Sequence, residues 1–256
     1  MRTVRAVAQL QLRIIRNDPW FLLVMFGMPL VVMPLFKQTM SLSLVDSGFD
    51  GASGAEHVVP GQVVLFGFFV GGSVGFSLFR EHGWNTWDRL RSSATRPATL
   101  LLGFGLPWVL ILLVWQLTLF LAGSLALGLR LNGGSAAAIV LVAFAYSCVV
   151  ISLVLLLATV LRTIQQMSAA QNVGAMLFGG LGGALVPIEQ LPGPAQAIAP
   201  VTPAYWAMDG FRSVLLEAGG IVDVLRASTV MLGAAVILGA LASLRFKDEE
   251  SKQFFA

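Results

Sequence analysis

The sequence predicts an all-α integral membrane protein. Its expected parts are six transmembrane helices, an N-terminal interfacial amphipathic helix, and a re-entrant helical segment before the last span. Three observations carry this. Of the 256 residues, 57% are hydrophobic and 11% charged, with mean hydropathy +0.83, whereas a soluble domain carries roughly 25% charged residues. Several uncharged apolar runs are long enough for a hydrocarbon core of about 30 Å. Short segments of alternating polarity, the mark of a membrane barrel, do not recur. The whole chain, 1–256, is expected to form a single transmembrane domain.

Residues 2–17 open the chain. At helical periodicity Arg2, Arg5, Gln9, Arg13 and Arg16 share one face, and Val4, Val7, Leu10, Ile14 and Ile15 cover the other. A basic amphipathic helix of this kind lies in the membrane interface. A signal-peptide n-region would be shorter and followed by a small-residue cleavage site. Asn17-Asp18-Pro19 then reads as a cap with a proline start.

Span one is Trp20 to Phe36, containing Pro29 and Pro34, with Lys37 snorkelling at the far side. Residues 41–61 form an external loop in which His57 is a solvated loop residue. Span two, Gln62 to Phe79, carries Gly67, Gly71, Gly72 and Gly75 in near-register, which permits close helix packing in lipid. Span three lies within Leu100–Leu127 and span four is Ala136–Leu161. Span five runs past Thr163, Gln165, Gln166, Ser168, Gln171 and Asn172 to about Val186. Residues 187–223 hold Pro187, Pro192, Pro194, Pro200 and Pro203 in a fairly apolar context. They are too interrupted to span and too hydrophobic for an ordinary loop, so a re-entrant pair of short helices is expected. Span six is Val224–Leu244.

With six spans, twelve of the sixteen Lys and Arg residues fall on the side of the two termini, against Lys37, Arg130, Arg212 and Arg226 on the other. The positive-inside rule then makes both termini cytoplasmic, in a multi-pass protein of the inner (plasma) membrane.

No GxxxxGK[ST] occurs, so no nucleotide is bound in the P-loop manner. HExxH, GxSxG and Cys/His clusters are also missing, and Cys148 is the only cysteine. No metal site and no catalytic residue is expected. No Asp, Glu, Lys or Arg stands mid-span, although ion-coupled carriers keep such groups for their relays. The energy for any transport must therefore come from elsewhere.

One stretch is an island of charge between apolar runs: Arg80 to Pro97, REHGWNTWDRLRSSATRP. On a helix Trp84, Trp87, Leu90 and Ala94 recur at three- and four-residue spacing. The stretch either rests on headgroups with its tryptophans as anchors or docks in a groove of a cytoplasmic partner.

The run from Arg80 through Gly103 resembles the cytoplasmic segment of bacterial type-two ABC exporter permeases, the group that includes daunorubicin-resistance-type transmembrane subunits. The matching positions are Glu81, Gly83, Asp88-Arg89-Leu90-Arg91, Pro97 and Gly103. A second match is GGLGGALVPIEQLPGPAQAIAPVTPAYWAMDGFRSVL, ending on Pro203 to Arg212, and a weaker third is Pro60-Gly61. Trp84-Asn85 is an insertion relative to many members. The resemblance implies a six-span export subunit, driven by two separate ABC-type ATPase chains that carry ATP and Mg, with no cofactor on this chain. The expected cargo is a hydrophobic or amphiphilic compound such as a drug, antibiotic or lipid-like molecule. It also implies a second permease copy, the same or related, with a substrate path between the two. The bilayer is the remaining partner, and nucleic acid is not one.

The coupling surface would comprise Arg80, Glu81, Gly83, Trp84, Trp87, Asp88, Arg89, Leu90 and Arg91. Candidates for the substrate path are Met25, Met28, Phe66, Phe69, Gln166, Gln171 and Asn172, although Met and Phe facing lipid need no function and amides also bond helices together. In the re-entrant segment Pro187, Glu189, Pro192, Pro203, Asp209 and Arg212 stand out, with charge pairing that holds the segment as the reading. The alternative class is a polytopic membrane enzyme acting on lipids, which would need polar catalytic groups at membrane depth.

Overall fold

The computed structural model describes residues 19–49, 51–83, 97–129, 131 and 133–246. The interfacial helix with Arg2, Arg5, Arg13 and Arg16 lies outside the described residues. So do Trp84, Trp87, Asp88, Arg89, Leu90 and Arg91 of the island. What is described is helical, with no strand among the described residues. The helices are α1 Pro19–Asp46, α2 Ala55–Gly83, α3 Pro97–Leu127, α4 Gly133–Val160, α5 Ile164–Leu181, α6 Gly193–Ile198, α7 Pro203–Leu215 and α8 Ile221–Arg245. Single 3₁₀ turns precede and follow α6. Five of these, α1 to α4 and α8, are long and apolar enough to cross a membrane.

Sequence polarity misplaced two boundaries, and backbone chemistry explains both. Residues 41–46 continue α1, because Ser and Thr do not stop a helix. The stop comes at Gly48, whose φ of +90° lets the Phe49 N–H donate back to the Leu44 carbonyl at 2.9 Å, a glycine-terminated helix end. His57 is not a solvated loop residue. It sits in the first turn of α2 and is only 7% exposed. That turn is prepared by Ser53, whose N–H donates to Glu56 Oε2 at 3.0 Å while its hydroxyl accepts from the Ala55 N–H at 3.3 Å. At Gly54, φ is +84° and a side chain would strike the Lys37 carbonyl. The loop is thereby folded flat against α1, with Ser41 Oγ donating to the Ala52 carbonyl at 2.9 Å.

The contacts fix the direction of each helix. Trp115 Nε1 donates to the Met25 carbonyl (3.1 Å) and Lys37 Nζ to the Leu127 carbonyl (2.8 Å), so α1 and α3 run parallel. Lys37 thus satisfies a carbonyl left open at the end of α3. Gly67, Gly71 and Gly75 face Tyr146, Val150 and Val154 in successive turns, making α2 parallel to α4. Tyr146 Oη completes that seam by donating to the Val64 carbonyl at 2.6 Å. Along α5 the order reverses: Met167 meets Gly75, and Gly179 meets Leu65. The longest helix pairing is α4 with α8, joined near Ser152 and Gly239.

All helix termini therefore gather at two ends. One end holds Pro19, Arg80, Pro97, Val160, Ile164 and Arg245. The other holds Asp46, Ala55, Leu127, Leu181, Ile221 and the α6–α7 segment. Helix α2 is the hub, buried over most of its length and touching α1, α3, α4, α5 and α7. Gly67, Gly71, Gly72 and Gly75, each in close contact with a neighbouring helix, explain why. Lipid tails are as apolar as the side chains, so helices associate by close packing and hydrogen bonds rather than by escaping water.

Candidate functional site

At the Arg80 end, α2 closes with Glu81 buried and Arg80 half-buried. Glu81 is thus placed in the body of the bundle rather than displayed on its surface. Beside it α5 begins with a reciprocal cap. Thr163 Oγ1 accepts from the Gln166 N–H at 3.2 Å, and Gln166 Oε1 accepts from the Arg162 N–H at 2.9 Å. Thr163-x-x-Gln166 is the capping-box signature, so Gln166 serves the helix start. Gln171 is buried in the α2–α5 seam, where its Nε2 donates to the Phe69 carbonyl at 2.7 Å and its amide covers Gly72.

The proposed path residues therefore divide. Phe66 and Phe69 set their rings 6.0 Å apart on α2, and Gln171 meets α2 at the Phe69 carbonyl. Met25 belongs to the α1–α3 contact, and Met28, Gln166 and Asn172 lie exposed. The exposed face of α5 mixes Gln165, Asn172, Val173, Met176 and Leu177. Lipid would not favour the amides on that face.

The opposite end is the better-defined site. α7 packs against α4, α8 and α2, and its amphipathic pattern puts Ala204, Ala207, Met208, Phe211 and Val214 inward. Thr202 Oγ1 caps its start by accepting from the Tyr205 N–H, with Pro203 at the first turn, where a missing N–H costs nothing. Pro187 is buried and opens the 3₁₀ turn that carries Glu189, while Pro192 is exposed ahead of α6. These elements bring Glu189 and Arg212 into an ion pair across 23 residues of sequence. Arg212 Nε lies 3.5 Å from Glu217, and the guanidinium stacks 5.0 Å from the Phe49 ring centre. Arg226 of α8 sits 5.5 Å from the Trp206 ring centre. Asp209 belongs to the same group. Partial desolvation pushes its carboxyl up from the ordinary value, Arg226 and Arg212 pull it down, and Glu217 adds to the rise.

The pair holds the segment by geometry more than by energy. Both partners are about a third exposed, and such ion pairs are worth about 1 kcal/mol or less. Exchanging the two, Glu189→Arg with Arg212→Glu, is expected to retain most of the thermal stability lost by Arg212→Glu alone. Thermal unfolding of the detergent-solubilised chain measures this. Equal losses in the single and double variants would refute the pairing.

Among the described residues the Asp, Glu, Lys and Arg side chains gather toward the two ends of the bundle; Lys37, nine residues inside α1, is level with the end of α3, and His57 sits in the first turn of α2. The middle of each crossing helix is free of charge, and no group of His, Cys, Asp and Glu among the described residues could hold a metal ion. Long apolar helices around a glycine-lined hub define a multi-pass membrane protein. Comparison with known proteins makes this specific: the chain belongs to the ABC-2 type transporter family, matching it over residues 2–216. It is 24% identical over 208 residues to the linearmycin resistance permease protein LnrN of Bacillus subtilis (strain 168), covering 81% of this chain and 52% of that protein. The chain thus spans about half the length of that curated relative.

Proposed function

We propose that the chain is the membrane-spanning subunit of an ATP-driven exporter that moves a hydrophobic or amphiphilic compound out of the cell. ATP hydrolysis takes place on a separate chain. The observation that carries this reading is the charge-free middle of the bundle in a member of the ABC-2 family. Without intramembrane ionisable groups there is no relay for a coupling ion, so a partner must supply the energy.

In this reading α5 is a sixth span. Its 18 residues rise about 27 Å, and it accompanies α2 from one end of the bundle to the other. The Arg80 end faces the cytoplasm, both termini lie there, and the α6–α7 segment dips into the outer leaflet. The island carries the ATPase through Trp87, Arg89 and Arg91, while buried Glu81 positions it from behind. ATP-driven closure of two such ATPases shifts a pair of permeases between two states that bind cargo with different affinity. The exposed mixed face of α5 meets the second permease copy, and the cargo path runs between them. A resistance permease among the relatives supports an amphiphilic antibiotic-like cargo. The lipid-enzyme alternative lacks support, since no polar catalytic set lies at membrane depth among the described residues.

The test is co-purification. The tagged chain, co-expressed with a candidate ABC-type ATPase subunit, is expected to bring that ATPase through detergent extraction and size exclusion as one complex. A chain that purifies with lipid-hydrolysing activity and without the ATPase would overturn the reading.

A further inference from the structure

The end of the bundle opposite Arg80 contains a cavity of about 330 Å³ between the end of α1, the first turn of α2, the stop of α5 and α7. Its walls set apolar and aromatic surface beside a larger share of polar and charged groups. Phe49 and Tyr205 supply ring surface, and His57, Glu189, Asp209 and Glu217 supply acceptors.

Charge decides what fits. Three carboxylates, Glu189, Asp209 and Glu217, face two guanidiniums, Arg212 in the wall and Arg226 approaching Asp209 from α8. Glu189 is committed to Arg212, whose Nε also lies 3.5 Å from Glu217. With His57 neutral, the cluster keeps one negative charge in excess. Buried His57 adds an imidazole whose Nε2 has no hydrogen-bond partner, and an unmet buried polar atom is costly. A primary ammonium brings one positive charge and three N–H donors to a set of acceptors. A short apolar body attached to it would lie against the two rings.

We propose that this cavity is a binding site for a small primary amine with an apolar body, taken up from the side of the membrane opposite the Arg80 end. The site requires neither ATP nor a second subunit, so it stands or falls separately from the export reading.

The full chain in phosphatidylcholine nanodiscs is titrated with phenethylamine, 2-phenylethanol and 3-phenylpropionate, followed by saturation-transfer NMR and calorimetry. Phenethylamine is expected to bind saturably and the alcohol and the acid at least tenfold more weakly, since charge-assisted hydrogen bonds to the ligand are lost in one and reversed in sign in the other. Asp209→Asn with Glu217→Gln is expected to weaken the amine roughly tenfold or more. Equal binding of the three compounds overturns the proposal, as does amine binding that the double substitution leaves unchanged. Should that variant not fold, the three-compound comparison on the unaltered chain still decides.

Discussion

Gly72→Leu is expected to destroy the folded permease. The α-carbon of Gly72 faces the Gln171 amide so closely that even a methyl group would overlap it. Gln171 cannot swing away freely, because its Nε2 is bonded to the Phe69 carbonyl one turn back on α2. Overpacking of this kind costs about 1–3 kcal/mol when the neighbours give way. Here giving way would also leave the Gln171 amide unpaired at a buried seam. Size exclusion of the extracted protein should show loss of the monodisperse peak. Gly72→Ala combined with Gln171→Ala, which clears the space, should recover much of it. A monodisperse Gly72→Leu protein with unchanged unfolding temperature would show that α2 and α5 are not packed in this way.

The second large effect is expected at the island. Arg89→Ala with Arg91→Ala should leave insertion and thermal stability intact, because both residues fall in the sequence between Gly83, where α2 ends, and Pro97, where α3 begins. Arginines at the centre of an interface commonly carry about 2 kcal/mol or more each, so the pair should reduce ATPase co-purification at least tenfold. Trp87→Ala separates the two readings of the tryptophans. If they anchor in headgroups, the substitution leaves the ATPase bound; if they fill a groove on the partner, it weakens the complex about as much as the arginines do. An undiminished complex in all three variants would remove the island from the docking role.

Much of this architecture is legible in the sequence because lipid imposes simple rules. A backbone with no water to bond must be helical, so the apolar runs announce the crossing helices. The four-residue steps of Gly67, Gly71 and Gly75 announce a hub, and Pro19 does begin α1. What polarity hides is where helices start and stop. His57 reads as loop because it follows a polar stretch, yet Ser53-x-x-Glu56 is a helix-start signature and marks the helix start at Ala55, seven residues before Gln62. Gly182-Gly183 likewise marks the stop of α5: at Gly183 φ is +82°, and the Ala184 N–H returns to the Gly179 carbonyl at 2.9 Å. These signals are local and were open to reading.

The outer site is different in kind. Glu189 and Arg212 stand 23 residues apart, with α6 and the start of α7 between them. Their charges suggest a pair, but no periodicity joins them. Phe49 and His57 come to the same place from α1 and α2, through the loop folded flat at Gly54. A cavity built from four separate stretches has no sequence signature. The amides tell a similar story. Gln165, Gln166, Gln171 and Asn172 look alike in sequence, while the fold gives Gln166 to a cap and Gln171 to a seam and leaves Gln165 and Asn172 exposed.

The central claim is that these charge-free helices are driven by a partner's ATP and not by an ion gradient. Inside-out vesicles containing the chain and its ATPase, given rhodamine 6G in the outside medium together with ionophores that collapse proton and sodium gradients, test it directly. ATP is expected to drive dye uptake at an unchanged rate after the gradients are abolished, with no uptake when ATP is withheld. Uptake that persists without ATP and vanishes with the ionophores would contradict the account.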